Sequence, residues 1–458
     1  VPAGAEALER ATAHLEQFLQ QVRQKRILDE KQRAMEAFRQ QFENGYTWRN
    51  GFLRNVARFG DREALIEPES GTVWTYTQLN AEANRFSHAL LRAGLQKGDV
   101  VMVQLHNCPE FVFAYLACHK TGMVFCPVNF RLSAKEITDC MDNSRPKVFL
   151  LEPETQAEVD MALRRTAHAP QILLTTDARA AHAYAGFTAD CPATEPELPW
   201  ELSVYDETLR LFTSGTTGRQ KSVCLTSINE VLSAHDVMIH FPFSFTDRSM
   251  NTTPWFHRGG LHSGGITPTL YAGGTVIIQR KFQPEKTLDM VQQYGLTFLI
   301  GVPNVLELLA EAQQKQPRDL SSLRGIVTMG SPLERADCIR YQKILTKRIF
   351  NGYGTTETFW NTFLRPDDLP EMAGSAGRSC VDDDVRVIKV YEDRVAEPDD
   401  LAATDGSEVG EVIIRSNAKS AAFYFGNPAE TRRRFHDGFA DYRNAGRRRI
   451  RIYSDQRH

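Results

Sequence analysis

The 458-residue chain has a formal net charge of −3, with 42% hydrophobic and 24% charged residues. These are proportions of a globular protein with room for more than one packed core, and the near-neutral balance excludes a global field that would attract nucleic acid or an anionic membrane. No run reaches the ~18–20 consecutive apolar residues of a membrane span. The opening Val1-Pro2-Ala3 gives way to mixed charged and apolar residues, unlike a signal peptide or an anchor. Eight cysteines without C-x-x-C spacing sit mostly in apolar runs. They are expected to be reduced, buried thiols of a cytoplasmic protein and not zinc ligands. A first residue other than Met reads as a trimmed version of a longer product.

Residues 4–43 are almost free of helix breakers, and Leu8, Ala11, Leu15, Phe18, Val22, Ile27, Met35, Phe38 and Phe42 recur at helical spacing. The pattern predicts one long amphipathic helix or a helical pair, stopped by Asn44-Gly45. Either it packs on the main body or it serves as a dimerisation arm, so a homodimer is among the expected assemblies. From Trp48 onward helical segments such as Gln78–Ala93 alternate with apolar runs at Val100–Leu105, Gly122–Val128, Val148–Leu151, Gln171–Thr175, Thr275–Gln279 and Thr297–Val302. That alternation predicts an α/β fold with largely parallel, buried strands. Thr176–Leu202 reads as a surface connection.

The most informative segment runs Leu211-Phe212-Thr213-Ser214-Gly215-Thr216-Thr217-Gly218-Arg219-Gln220-Lys221. A strand leads into two glycines, four hydroxyl side chains and one lysine. Polyphosphate needs close backbone N–H groups, hydroxyl donors and a compact cation, and all three are here. The lysine follows the second glycine by three positions, so this is not the G-x-x-x-x-G-K-[ST] loop.

Thr-Ser-Gly-Thr-Thr-Gly-x-x-Lys resembles the signature loop of the adenylate-forming superfamily: acyl-CoA synthetases, firefly-type luciferases and peptide-synthetase adenylation domains. The family usually has Pro and Gly flanking the lysine, where this chain has Gln220 and Ser222. Asn351-Gly352-Tyr353-Gly354-Thr355-Thr356-Glu357 is similar to its Tyr-Gly-x-Thr-Glu block, Gly330-Ser331-Pro332 to its adenine-edge segment, and Pro254-Trp255-Phe256-His257 to the block bordering the acid. The likeness runs from about Gly51 to about Gly438.

The resemblance implies the family's large domain, layered αβαβα sheets plus a small β-barrel-like subdomain. Three regions follow: an N-terminal helical extension (1–45), the ATP- and acid-binding domain (46–435), and the start of a hinge (436–458) to a small C-terminal domain of about 100 residues not in this sequence. By resemblance Thr213, Ser214, Thr216, Thr217 and Lys221 grip the β- and γ-phosphates, with Gly215 and Gly218 shaping the loop. Tyr353, beside Gly352 and Gly354, stacks on adenine, whose edge lies along Gly330, Ser331 and Pro332. Thr356 holds the α-phosphate, and Glu357, with Thr216, holds Mg²⁺. His257 neighbours the substrate carboxylate, and Trp255, Phe256, Phe359 and Trp360 enclose the acid or simply pack the core. Arg258, where the family is commonly apolar, meets a polar group on the acid or is a surface arginine. A gap-free placement puts Asn444 where the family has the ribose-binding aspartate, with Asp441 nearby.

The implied reaction joins a carboxylic acid to ATP as acyl-AMP with release of pyrophosphate. Coenzyme A follows as second-step substrate, or else a carrier protein or a partner thioesterifying subunit accepts the acyl group. The peptide synthetases' amine-binding aspartate has no counterpart in Trp255–Gly260, which predicts a hydrophobic acid without an amine. The rival reading is a non-catalytic partner subunit that binds an acyl-adenylate made elsewhere.

Overall fold

The structure, a computed structural model, describes residues 2–213, 220–394, 396–403, 407–416, 419–436 and 439–441. Pro2–Gly45 is a single α-helix ending at the expected Asn44-Gly45 stop. It does not pack on the body: Leu8 is 70%, Phe18 61% and Phe38 71% exposed. The reason is angular. At 3.6 residues per turn, Leu8, Leu15, Phe18, Leu19 and Val22 share one face, whereas Ile27, Leu28, Met35, Phe38 and Phe42 fall on nearly the opposite one, so no single side can dock. Contact with the body is confined to the last turn, where Val204 N donates to Glu43 O at 2.7 Å and Asn44 donates to Glu201 at 3.0 Å.

Two sheets form the body. The nine-stranded sheet runs, edge to edge, Arg378–Ser379, Phe359–Leu364, Ile349–Thr355, Gly325–Met329, Phe298–Gly301, Arg248–Asn251, Thr275–Ile277, Glu63–Glu67 and Thr72–Thr75. Its centre is parallel and its ends antiparallel. The six-stranded sheet runs Ile172–Thr175, Val148–Leu151, Val100–Gln104, Val124–Pro127, Glu207–Thr213 and Lys221–Thr226, with only the last pair antiparallel. Each apolar run expected to be a strand is one; Val148–Leu151 is found at its expected length and the others are shorter by one to three residues. The helix expected from Gln78 starts at Tyr76, because Thr75 Oγ1 accepts from Gln78 N while the Gln78 side chain accepts from Thr75 N.

Helices Trp48–Phe59, Tyr76–Arg92, Pro109–Thr121, Ser227–His240 and Ile266–Ala272 fill the space between the sheets. Pro284–Tyr294, Pro303–Lys315 and Arg335–Ile344 cover the outer face of the larger sheet, and Ala134–Ser144 with Gln156–Leu163 covers that of the smaller. The layering is therefore αβαβα. A four-stranded antiparallel sheet of Asp384–Ile388, Glu411–Arg415, Phe439–Asp441 and Phe435–His436 stands where the small β subdomain was expected. The connection through 176–202 carries the short helix Tyr184–Thr188 and is anchored by Glu195, which accepts from buried Lys120 at 2.6 Å.

Past the end of a strand in each sheet, Arg280 forms a two-pronged bond with Glu152, at 2.9 and 3.0 Å, and His106 adds a third contact at 2.6 Å. This ion pair ties the two sheets together. All eight cysteines are free and buried, as expected, and no described helix is long and apolar enough to cross a membrane.

Candidate active site

Lys221 opens the edge strand of the smaller sheet, opposite Thr213. Its ammonium pairs with the carboxylate of Glu430 and lies 5.4 Å from the centroid of the Tyr424 ring. Glu430 stands in the helix Pro428–Arg434, where Asn427 caps the Glu430 N–H. Burial pushes the Glu430 carboxyl up, but hydrogen bonds from Lys221 and Arg434 outweigh it and hold it below the usual carboxylate range. Ser214, Gly215, Thr216, Thr217 and Gly218 lie outside the described residues, as does Asn444; Thr213 is half-buried at its strand end.

Tyr353 and Gly354 belong to the strand Ile349–Thr355, which pairs with Phe359–Leu364 through a bulge. A Cβ on Gly354 would sit 1.4 Å from the Phe359 carbonyl oxygen, so only glycine fits. Phe359 adopts φ 63°, a strained value for a bulky residue, at the base of the turn presenting Thr356 and Glu357. Burial pushes the Tyr353 phenol up to about 12, so the ring remains neutral.

The turn is braced from several sides. Tyr424 donates its hydroxyl to Glu357 Oε1 at 2.6 Å, and Ala421 N donates to Glu357 O at 2.7 Å. Lys419 donates to Trp360 O at 2.5 Å, and to Asp236 and Asp383 at 2.6 and 2.9 Å. Arg258 departs from the expected surface role. It is only 3% exposed and donates to Thr356 O at 2.6 Å, Lys419 O at 2.9 Å and Ser233 at 3.2 Å, so it braces the backbone beneath Thr356. It is not a surface arginine.

Gly330, Ser331 and Pro332 form an exposed bend after Gly325–Met329, with Gly330 at φ 83°. Beside it, Thr328 and Asn351 are register partners on adjacent strands. Thr328 Oγ1 and Asn351 Oδ1 are buried with no hydrogen-bond partner among the described residues.

His257 precedes the helix Arg258–His262; more than a third of it is open to solvent, yet burial of its surroundings lowers its pKa. The four aromatic residues divide. Trp255 packs on Phe111 at 5.6 Å within the inter-sheet core, while Phe359 and Trp360 stack on each other at 4.9 Å in a separate cluster with Met329. Phe256 sits against Phe130 and His257.

Asp236, His240 and Cys380 form the one group of metal-ligating types among the described residues. The Lys419 ammonium already rests on Asp236, and Arg365 donates to His240 Nδ1 at 2.7 Å. That bond leaves the proton on His240 Nε2, facing Asp236. The cation of this cluster is the lysine.

Residues 52–424 match the AMP-binding enzyme family. The chain belongs to that family. As a member of the AMP-binding enzymes it is 30% identical over 387 residues to a feruloyl-CoA synthase of Amycolatopsis sp, covering 82% of this chain and 73% of that one. It is also 30% identical over 364 residues to an indoleacetate–CoA ligase of Aromatoleum aromaticum, covering 78% and 69%. Among solved structures, the inhibitor-bound N-terminal domain of FACL13 from Mycobacterium tuberculosis superposes with a TM-score of 0.77 at 26% identity, covering 86% of this chain and 95% of that one. The layered large domain expected from the sequence is the architecture found, and the protein is an acid-adenylating ligase of the acyl-CoA synthetase type.

Sequence reasoning passed over Tyr424, Glu430 and Lys419. Glu430 meets Lys221 across 209 residues of chain and Tyr424 meets Glu357 across 67, separations that no local spacing rule detects. Asn427-Pro428, a helix-start signal, was the available clue.

Proposed function

We propose that this AMP-binding enzyme activates a hydrophobic, aryl-bearing carboxylic acid lacking an amine as acyl-AMP, and passes the acyl group to coenzyme A. The observation that carries the reading is the chain of contacts Lys221, Tyr424, Glu357: a cation for phosphate over the ring of one tyrosine and a carboxylate for magnesium at its hydroxyl. In the adenylation step a substrate carboxylate oxygen bonds to the ATP α-phosphorus while its bond to the bridging oxygen breaks and pyrophosphate leaves. Lys221, with Thr213, Ser214, Thr216 and Thr217, grips the β- and γ-phosphates, and Thr356 holds the α-phosphate on a backbone that Arg258 fixes.

Glu357 suits Mg²⁺ because Tyr424 engages Oε1 and the side chain is only half-buried, leaving acceptor capacity. Bound there, with Thr216, magnesium supplies charge neutralisation on the phosphates. Tyr353, with Gly352 and Gly354, stacks on adenine along Gly330, Ser331 and Pro332. Asn444 remains the proposed ribose contact. His257, kept neutral by its lowered pKa, faces the acid's carboxylate.

Two relatives carry names with aryl acids, feruloyl and indoleacetate, which supports an aryl acid ahead of a fatty one. The non-catalytic alternative is disfavoured by Lys221 and Glu357, which a binding-only subunit has no chemical need to keep. We place the enzyme in the cytoplasm, where eight free thiols stay reduced. We take 1–45 as an extension and 46–435 as the catalytic body, whose small sheet continues through Phe439–Asp441 into the proposed hinge region 436–458. The exposed arm offers a homodimer contact.

Exchange of labelled pyrophosphate into ATP, tested with aryl, fatty and amino acids, examines the proposal. Exchange driven best by an aryl acid supports it; ATP binding with no exchange for any acid contradicts it.

A further inference from the structure

The phosphate-gripping lysine is already holding an anion. Lys221 and Glu430 have side chains 9% and 12% exposed, so the pair sits in a confined, weakly solvated place. A phosphate oxygen arriving at the ammonium meets a carboxylate on the same cation, and two anions so close repel strongly where water is scarce.

Glu430 also has somewhere to go. Arg434, one helical turn on, reaches its Oε1 at 3.1 Å. Releasing Lys221 therefore does not leave Glu430 as an uncompensated buried charge, which is the costly outcome of breaking such a pair. The ammonium meanwhile stays over the Tyr424 ring.

We infer that Glu430 is the resident anion of the Lys221 site and sets the affinity for ATP by competing with the triphosphate for that ammonium, handing over to Arg434 when nucleotide binds. The inference rests on the phosphate-binding reading of Lys221. Its consequence is that the short helix Pro428–Arg434 loses a tether whenever the site fills.

Titration of the chain with ATP and Mg²⁺ by calorimetry, without acid, supplies the test. The Glu430→Gln variant is expected to bind ATP about tenfold more tightly, and the gain is expected to vanish in the Lys221→Ala background. Arg434→Met is expected to weaken binding in the native background but not alongside Glu430→Gln, because only the carboxylate needs the fallback partner. On the unaltered protein, ATP is expected to speed amide hydrogen exchange across residues 428–434. Unchanged or weaker binding by Glu430→Gln, or added protection of that helix by ATP, overturns the inference. No ATP binding by the native chain defeats the nucleotide reading beneath it, a separate and recognisable failure.

Discussion

Tyr424 donates its hydroxyl to Glu357 Oε1 at 2.6 Å while its own backbone pairs with Val223 on the strand that Lys221 begins. One residue thus fastens the acidic turn of the larger sheet to the lysine strand of the smaller. Replacing it with phenylalanine keeps the ring and removes the bond to Glu357. Tyr424→Phe is expected to cost about 10–100-fold in kcat for adenylation, as loss of an orienting partner does at metal-binding carboxylates. The KM for ATP should change little. Steady-state kinetics at varied magnesium checks this; unaltered kcat would show that Glu357 orients itself.

Arg258 supports Thr356 through a backbone carbonyl and stands within the same brace as Lys419. Arg258→Met is expected to lower kcat about a hundredfold, since slight misplacement of a transition-state contact has that effect. Arg258→Lys should not restore it, because a single ammonium cannot bridge the two carbonyls that the planar guanidinium spans. Kinetics of the two variants, with a melting curve for each, separate lost positioning from lost fold.

The Glu152–Arg280 bond gives a pH-dependent prediction. Burial raises the pKa of Glu152, but His106 and Arg280 prevail and hold it below the ordinary carboxylate value of 4.5. A carboxylate depressed on folding contributes stability that is fully present above its unfolded pKa and is lost as pH falls through its folded one. Glu152→Gln is therefore expected to destabilise by about 1–3 kcal/mol near neutral pH, since the Arg280 left behind is a quarter exposed and keeps Glu154. The deficit should shrink progressively below about pH 4.5. Denaturant melts of both proteins across pH 3–7 measure it; a pH-independent difference counts against the ion pair.

The strands, the glycine-bearing hairpin around Gly354 and the layered fold are legible because each depends on local signals: glycines where backbones crowd, β-branched runs, capping residues such as Thr75. Two kinds of feature escaped. Helical spacing in 4–43 was real, but the apolar face switches sides near residue 25, and counting intervals without following the angle hid the fact that no stripe runs the whole length. The sequence around Arg258 does not reveal its role, because its carbonyl partners come from Thr356 and Lys419, 98 and 161 residues further along. Contacts that close across such distances leave no periodic trace.

Because the long helix meets the body only in its last turn, deleting residues 2–41 is expected to change the stability of the body by no more than about 0.5 kcal/mol, the scale of surface changes. Denaturant unfolding of the shortened chain, with its mass in solution, is the check. A large loss of stability would mean that the arm packs on the body after all, whereas a halved mass with unchanged stability supports the arm as a homodimer contact.

Lys221 over the Tyr424 ring and Glu357 at the Tyr424 hydroxyl are proposed to serve one triphosphate. A double-mutant cycle in pyrophosphate exchange tests it most directly, using Lys221→Ala, Glu357→Gln and the two combined. Residues acting as a unit give grossly non-additive losses, so each single change should abolish most of the exchange and the pair should cost little more than either alone. Losses that multiply as for independent sites, or a single variant that exchanges normally, would contradict it.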